Sequence, residues 1–118
     1  MLPDIVAVAH IAWEAYRALC VSQGDHTVDS WYFAPDDKKQ AMIASVSHII
    51  LTPGITAKMC HEHWVRWKLH EGWTSSNRKD EARKTHPMLM AWDDLTPDQQ
   101  LKDRLFVSIV QALYPAYD

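Results

Sequence analysis

The stretch Cys60-His61-Glu62-His63-Trp64-Val65-Arg66-Trp67-Lys68-Leu69-His70-Glu71-Gly72-Trp73 decides how the rest of the chain is read. It reads as one helix. Leu, Lys, Arg and Glu favour helix, no proline interrupts, and Gly72 is a natural stop. At about 100° per residue, His61, Trp64, Val65 and Lys68 share one face. His63 and His70 share another, with Arg66 nearby, and Cys60 and Trp67 lie between. A helix set with large rings on every side packs on one side and leaves another for binding.

Outward from this stretch, the spacing predicts three more helices. Asp4 is an N-cap for a helix over residues 4–21, with Ile5, Val8, Ala9, Ala12, Tyr16 and Leu19 as its apolar stripe and Trp13 at the boundary. A loop over 22–34 carries Trp31, Tyr32 and Phe33. Pro35, with Asp36 and Asp37, opens a helix whose core face is Met42, Ile43, Val46, Ile49 and Ile50, and Thr52-Pro53-Gly54 stops it. Thr56 caps the central helix. Residues 74–95 are polar, basic and irregular, with Met88-Leu89-Met90 as the extended apolar piece. Thr96-Pro97-Asp98-Gln99 is a capping box for a last helix to about Leu113, with Leu101, Leu105, Val110 and Leu113 inward.

The expected fold is mainly α: one domain over 1–118 made of two pseudo-symmetric helix–loop–helix units, about 4–52 and 55–114. The halves match in pattern. Ala9-His10-x-x-Trp13-x-x-Tyr16-Arg17 lines up with Cys60-His61-x-x-Trp64-x-x-Trp67-Lys68, and each is followed by an aromatic (Trp31, Trp92) and a proline-initiated helix (Pro35, Pro97). This is the pattern of a diverged internal duplication with a longer loop in the second half.

Composition bounds the function. A net charge of −3 argues against a general nucleic-acid binder. The charge is uneven, however. Residues 58–84 hold seven of the twelve Lys and Arg (Lys58, Arg66, Lys68, Arg78, Lys79, Arg83, Lys84) against four acids (Glu62, Glu71, Asp80, Glu81), which focuses positive potential beside the central helix. No run of 18 apolar residues and no signal-peptide pattern is present, so neither a membrane nor export is expected. Two cysteines make no disulfide framework, and a reducing cytoplasm is the expected location.

The second half resembles the RyR domain, the repeat first noticed in ryanodine receptors and also found alone in bacterial and phage proteins. The shared pattern is His61-Glu62-His63-Trp64, Lys68, Gly72-Trp73, Arg78-Lys79-Asp80, Lys84-Thr85-His86-Pro87 and Leu95, over about residues 57–104. The first half looks like the partner repeat. One departure is that Thr74-Ser75-Ser76-Asn77 stands where family members often carry Tyr-Gly. The resemblance implies a non-enzymatic module in which paired repeats form a cleft holding an adenine nucleotide. It implies a stacking pair Trp64 and Trp13, neighbouring histidines His61 and His10, and phosphate-facing cations Lys68 and Arg17. Apart from the resemblance, the loop cations Arg78, Lys79, Arg83 and Lys84 read first as a solvated loop and alternatively as a flexible clamp over a ligand's phosphates, with Arg78 and Lys84 as the site candidates.

The residues themselves are compatible with that assignment. Base–aromatic stacking contributes about 1–3 kcal/mol per base, Arg and Lys suit phosphate, and spacing of ring and cation at i and i+4 puts them side by side. Trp13 or Trp64 taken alone reads first as core, and the basic loop as a solvated one; the repeated His–Trp–cation face is what brings ligand binding level with packing. Trp67 and Tyr16, on the more apolar arc, are expected in the core. No metal is expected, because His61 and His63 diverge and His63 and His70 share their face with no acid or thiol. A Cys60–His61 dyad fails because neighbouring helix positions point about 100° apart. The expected function is binding of an adenine-containing nucleotide or nucleotide-derived signal, as a sensor or phage-type sponge, with no cofactor and no catalysis. The other reading, from a different class, is a protein-interaction module whose aromatic face docks a partner helix or a second copy of the chain, giving a homodimer.

Overall fold

The structure, a computed structural model, describes residues 4–115. Among them are four α-helices: α1 (Ile5–Ser22), α2 (Asp36–Ile50), α3 (Ala57–His70) and α4 (Pro97–Leu113). A 3-10 turn covers Trp92–Asp94, and two short strands, β1 (Thr74–Ser75) and β2 (Thr85–His86), pair in parallel. The chain is mainly α, as its periodicity predicts.

The helices begin where side chains satisfy backbone N–H groups that have no partner inside the helix. The Asp4 carboxylate accepts from Val6 N–H at 3.2 Å. Thr56 Oγ1 accepts from Met59 N–H at 3.1 Å and opens α3. At α4 the capping box closes in both directions. Thr96 Oγ1 accepts from Gln99 N–H at 3.3 Å, and Gln99 Oε1 accepts from Thr96 N–H at 3.1 Å. Pro35, the residue before α2, has no side chain to cap with, and Asp36 and Asp37 meet the positive end of that helix instead.

The end of α3 shapes the segment after it. Gly72 has φ +91°, a backbone conformation that a residue with a Cβ adopts only at a penalty. Its N–H reaches Leu69 O and the N–H of Trp73 reaches Lys68 O, both at 3.0 Å, which is a Schellman closure. That closure brings residue 73 back over residue 68, so Trp73 lies against Lys68 by backbone geometry.

The chain packs as two compact units. One comprises the chain up to Ile55 and again from Arg104 on. In it α1 lies against α2, and Val8, Ala9, Ala12, Trp13, Cys20, Trp31, Ala34, Val46, Ile49, Val107 and Val110 are buried. The Gln111 amide donates to Ile55 O at 2.9 Å and ties the end of α4 to this unit. By length and apolar composition α1 would pass as a membrane span. It carries His10, Glu14 and Arg17, however, and buries one face as the core helix of this unit.

The other unit, Thr56–Asp103, holds α3, both strands, the 3-10 turn and the start of α4. Its buried residues among those described are His61, Leu89, Trp92 and Leu95. Gln100 donates its amide to Trp92 O at 2.9 Å, which fixes the 3-10 turn to α4.

Three local expectations are corrected. The extended pieces of the long loop are Thr74–Ser75 and Thr85–His86, not Met88-Leu89-Met90, because Leu89 is buried as a single anchor rather than paired as a strand. Leu101 is 46% exposed rather than inward, while Val110 is buried as expected and Val107 is buried with it. Trp67 is 45% exposed instead of core.

Thr56→Ala removes the α3 cap and should lower stability by about 1 kcal/mol. In a domain of this size that is about 3–5 °C in Tm, read by far-UV circular dichroism. Thr56→Ser, which keeps the acceptor, should melt near the wild type.

Candidate functional site

The second unit is organised by a buried histidine. His61 is 6% exposed, and its Nε2 lies 2.7 Å from Met90 O. A carbonyl only accepts, so Nε2 carries the hydrogen. On the other side of the ring, Asp103 Oδ2 stands 3.9 Å from Nδ1. Burial pushes the Asp103 carboxyl up to about 6, an effect that His61 and Lys102 partly oppose. Beside them, burial and then Asp103 raise the Cys60 thiol to about 11, so it is a neutral thiol rather than a nucleophile at neutral pH.

Rings continue outward from His61. Its centroid is 6.0 Å from Trp92 and 5.8 Å from Trp64. Trp64, half-buried, meets His86 edge-on at 5.0 Å, and His86 meets Trp73 at 6.4 Å. His86 Nδ1 accepts from Met88 N–H at 3.1 Å, which sets the ring's orientation. The set ends on a cation. Lys68 Nζ lies 4.5 Å from the Trp73 ring centroid and 4.9 Å from that of Trp67. A cation over an indole face is worth about 0.5–2 kcal/mol depending on desolvation. Trp67, 45% exposed, forms one wall for this ammonium.

The first unit carries a related cluster. His10 stacks on Trp31 at 5.6 Å with an interplanar angle of 13°, and Tyr32 meets His10 edge-on at 5.5 Å. Trp13 packs on Trp31 at 6.3 Å and Tyr16 at 6.0 Å, and its Nε1–H donates to Asp29 O at 2.8 Å. Lys39 Nζ stands 5.6 Å from the Trp31 ring centroid. Trp13 is thus a buried core ring with its polar atom satisfied.

Of the residues singled out in the sequence, Trp64, His61 and Lys68 come together on α3. Their roles differ, since His61 is buried and bonded while Trp64 and Lys68 are half-buried. Arg17 pairs with Glu14 at 3.3 Å, and His10 is half-buried against Trp31. Arg78 is exposed, and its carbonyl accepts from Thr85 Oγ1 at 3.1 Å. Lys84 donates to Glu71 O at 3.0 Å. Sequence reasoning left Trp73 and His86 out of the site. Both stand in the family motifs, but only the Schellman turn and the strand pairing show that they return to α3. Among the described residues, no group of three His, Cys, Asp or Glu is placed to hold a metal ion.

The arrangement defines a small α-helical domain whose second unit presents a joined surface of indole and imidazole rings with a lysine seated on it. A family model described as the RyR domain matches residues 35–113, and the chain belongs to the RyR domain family. The matched span takes in α2, α3 and α4 and leaves out α1, with His10, Trp13 and Arg17. Comparison with curated proteins finds no match.

The raised Asp103 carboxyl has a definite sign. The folded state holds that proton more tightly than the unfolded chain. Its contribution to stability is therefore full below about pH 4 and is lost as pH rises through about 6. Asp103→Asn is neutral throughout. Its Tm relative to wild type should climb between pH 4 and 7, and a flat difference across that range would contradict the desolvated-acid account.

Proposed function

We propose that this RyR domain binds, without transforming it, a small molecule that joins a flat heteroaromatic ring to negative charge, of which an adenine-containing nucleotide is the nearest class. The observation that carries this reading is the set Trp64–His86–Trp73–Lys68–Trp67, in which half-exposed rings and an ammonium adjoin on one unit. Trp64 is the platform for the base, with stacking worth about 1–3 kcal/mol. Lys68 supplies positive charge one helical turn on, and exposed Arg78 adds to it. Trp13 has its ring buried and its N–H bonded to Asp29, so we place the base on the second unit. The non-enzymatic part is supported by the neutral Cys60 thiol, which leaves the Cys60, His61 and Asp103 cluster without a nucleophile. The unpaired cysteines fit a cytoplasmic setting.

A second reading, a protein-docking surface, is favoured by the exposed Met59, Trp67 and Leu69 on α3.

The test is a thermal-shift screen over mono-, di- and cyclic nucleotides. Ligand at a hundred times its Kd should add about 2.7 kcal/mol to stability. Trp64→Ala should abolish the shift while keeping the wild-type far-UV spectrum, and the nucleotide should be recovered chemically unchanged. A Trp64→Ala protein that binds like wild type refutes the platform. A screen in which no nucleotide raises Tm leaves the docking surface as the better reading.

A further inference from the structure

Among the described residues other than glycine, Lys84 alone has a positive φ, at 55°. A side chain with a Cβ holds that conformation at a penalty of about 1–2 kcal/mol. The surrounding bonds account for it. The Lys84 ammonium donates to Glu71 O, the residue that closes α3, at 3.0 Å. The Lys84 carbonyl accepts from Thr74 N–H at 2.8 Å, in the first residue of β1. The next residue, Thr85, exchanges two backbone bonds of 3.0 Å with Asp80 and donates its hydroxyl to Arg78 O at 3.1 Å. The residue after that is His86, whose ring sits against Trp64 and Trp73.

These bonds form one device. The excursion that leaves α3 at Gly72 is brought back to the helix end at Lys84, through both its backbone and its side chain. The carbonyl it reaches is at the negative end of α3, where a cation is favoured. From that anchor the chain needs only two residues to deliver His86 between the two tryptophans.

We infer that Lys84 is a positioning residue of the ring surface: it closes the basic excursion onto the end of α3, sets His86 against Trp64 and Trp73, and does not contact phosphate. The inference rests on the reading of Trp64 as the platform for a base. It changes the role of Lys84 from clamp to anchor. A clamp reads charge on the ligand, whereas an anchor acts through the shape of the surface that meets the base.

The two roles separate in a titration of adenosine and AMP against wild type, Lys84→Met, Lys84→Arg and Lys84→Gly. An anchor predicts that Lys84→Met weakens both ligands by the same factor, about tenfold, toward the lower end of a lost base–aromatic stack. Lys84→Arg, which keeps a donor that reaches Glu71 O, restores both. A loss confined to AMP overturns the inference and makes Lys84 a phosphate contact. Lys84→Gly accepts the positive φ without strain, so it keeps the comparison open should the methionine variant fail to fold.

A second measurement needs no ligand. The currents of Trp64 and Trp73 should displace the ring protons of His86 in the wild-type NMR spectrum, and these signals should move toward random-coil positions in Lys84→Met and return in Lys84→Arg. Unmoved His86 signals overturn the inference whatever the ligands do. If wild type binds neither adenosine nor AMP, the nucleotide reading fails and the His86 signals alone decide the role of Lys84.

Discussion

The second unit depends on one hydrogen bond, from the buried imidazole of His61 to the carbonyl of Met90. A buried carbonyl left without a donor costs about 1–3 kcal/mol, and so does a buried imidazole N–H without an acceptor. Here each answers the other across 29 positions of sequence. The bond holds the irregular segment before the 3-10 turn against α3. It fixes Nε2 as a donor, and it turns the rest of the ring toward Trp64, Trp92 and Asp103. Buried aliphatic side chains are sparse in this unit, so rings supply much of the apolar area that leaves water.

The first unit uses similar parts to another end. His10 meets Trp31 on one unit, and His61 meets Trp92 on the other. Yet the two helix tryptophans differ in exposure. Trp13 is buried and bonded through its indole N–H to Asp29, whereas Trp64 is half-exposed with His86 at its side. Residues at equivalent places in a repeated pattern therefore serve as core in one unit and as surface in the other. The side chains that decide this come from the loops, where the two halves differ most in length.

That division explains what the sequence let us read. Helix ends were legible because their causes are local: Thr56, the Thr96–Gln99 box and Gly72 each act within a turn of their own position. The mainly α class followed from periodicity, and the spaced motifs pointed to the family. The exposure of Trp67 was not legible. Helical spacing reports a face, but it does not report that Trp67 stands beside the ammonium of its own neighbour, Lys68, which the turn also brings against Trp73. Leu101 misled for a similar reason, since α4 carries more apolar positions than its packing buries. The pairing of Thr74 with Thr85 joins two-residue strands in parallel, too short to leave any alternation pattern. Among the site residues, Trp64 and Lys68 were placed together by helix geometry alone. His86 and Trp73 needed the path of the loop, and the inward face of His61 needed Met90.

The closure of the excursion on its own base separates two kinds of position. Residues at the base, Gly72, Trp73, Thr74, Lys84, Thr85 and His86, are bound to α3 or to one another, and a change there moves the ring surface. The tip, around Ser76 and Asn77, enters none of these bonds. Each doubling in the length of such a loop costs only about 0.6 kcal/mol in closure entropy. Insertions and altered composition are therefore tolerated at the tip while the rings stay in register. The family's frequent Tyr-Gly and this chain's Ser75-Ser76 differ at that tip and at the strand residue leading to it. Such a tip can be lengthened, or accept a grafted peptide, without rebuilding the surface beneath.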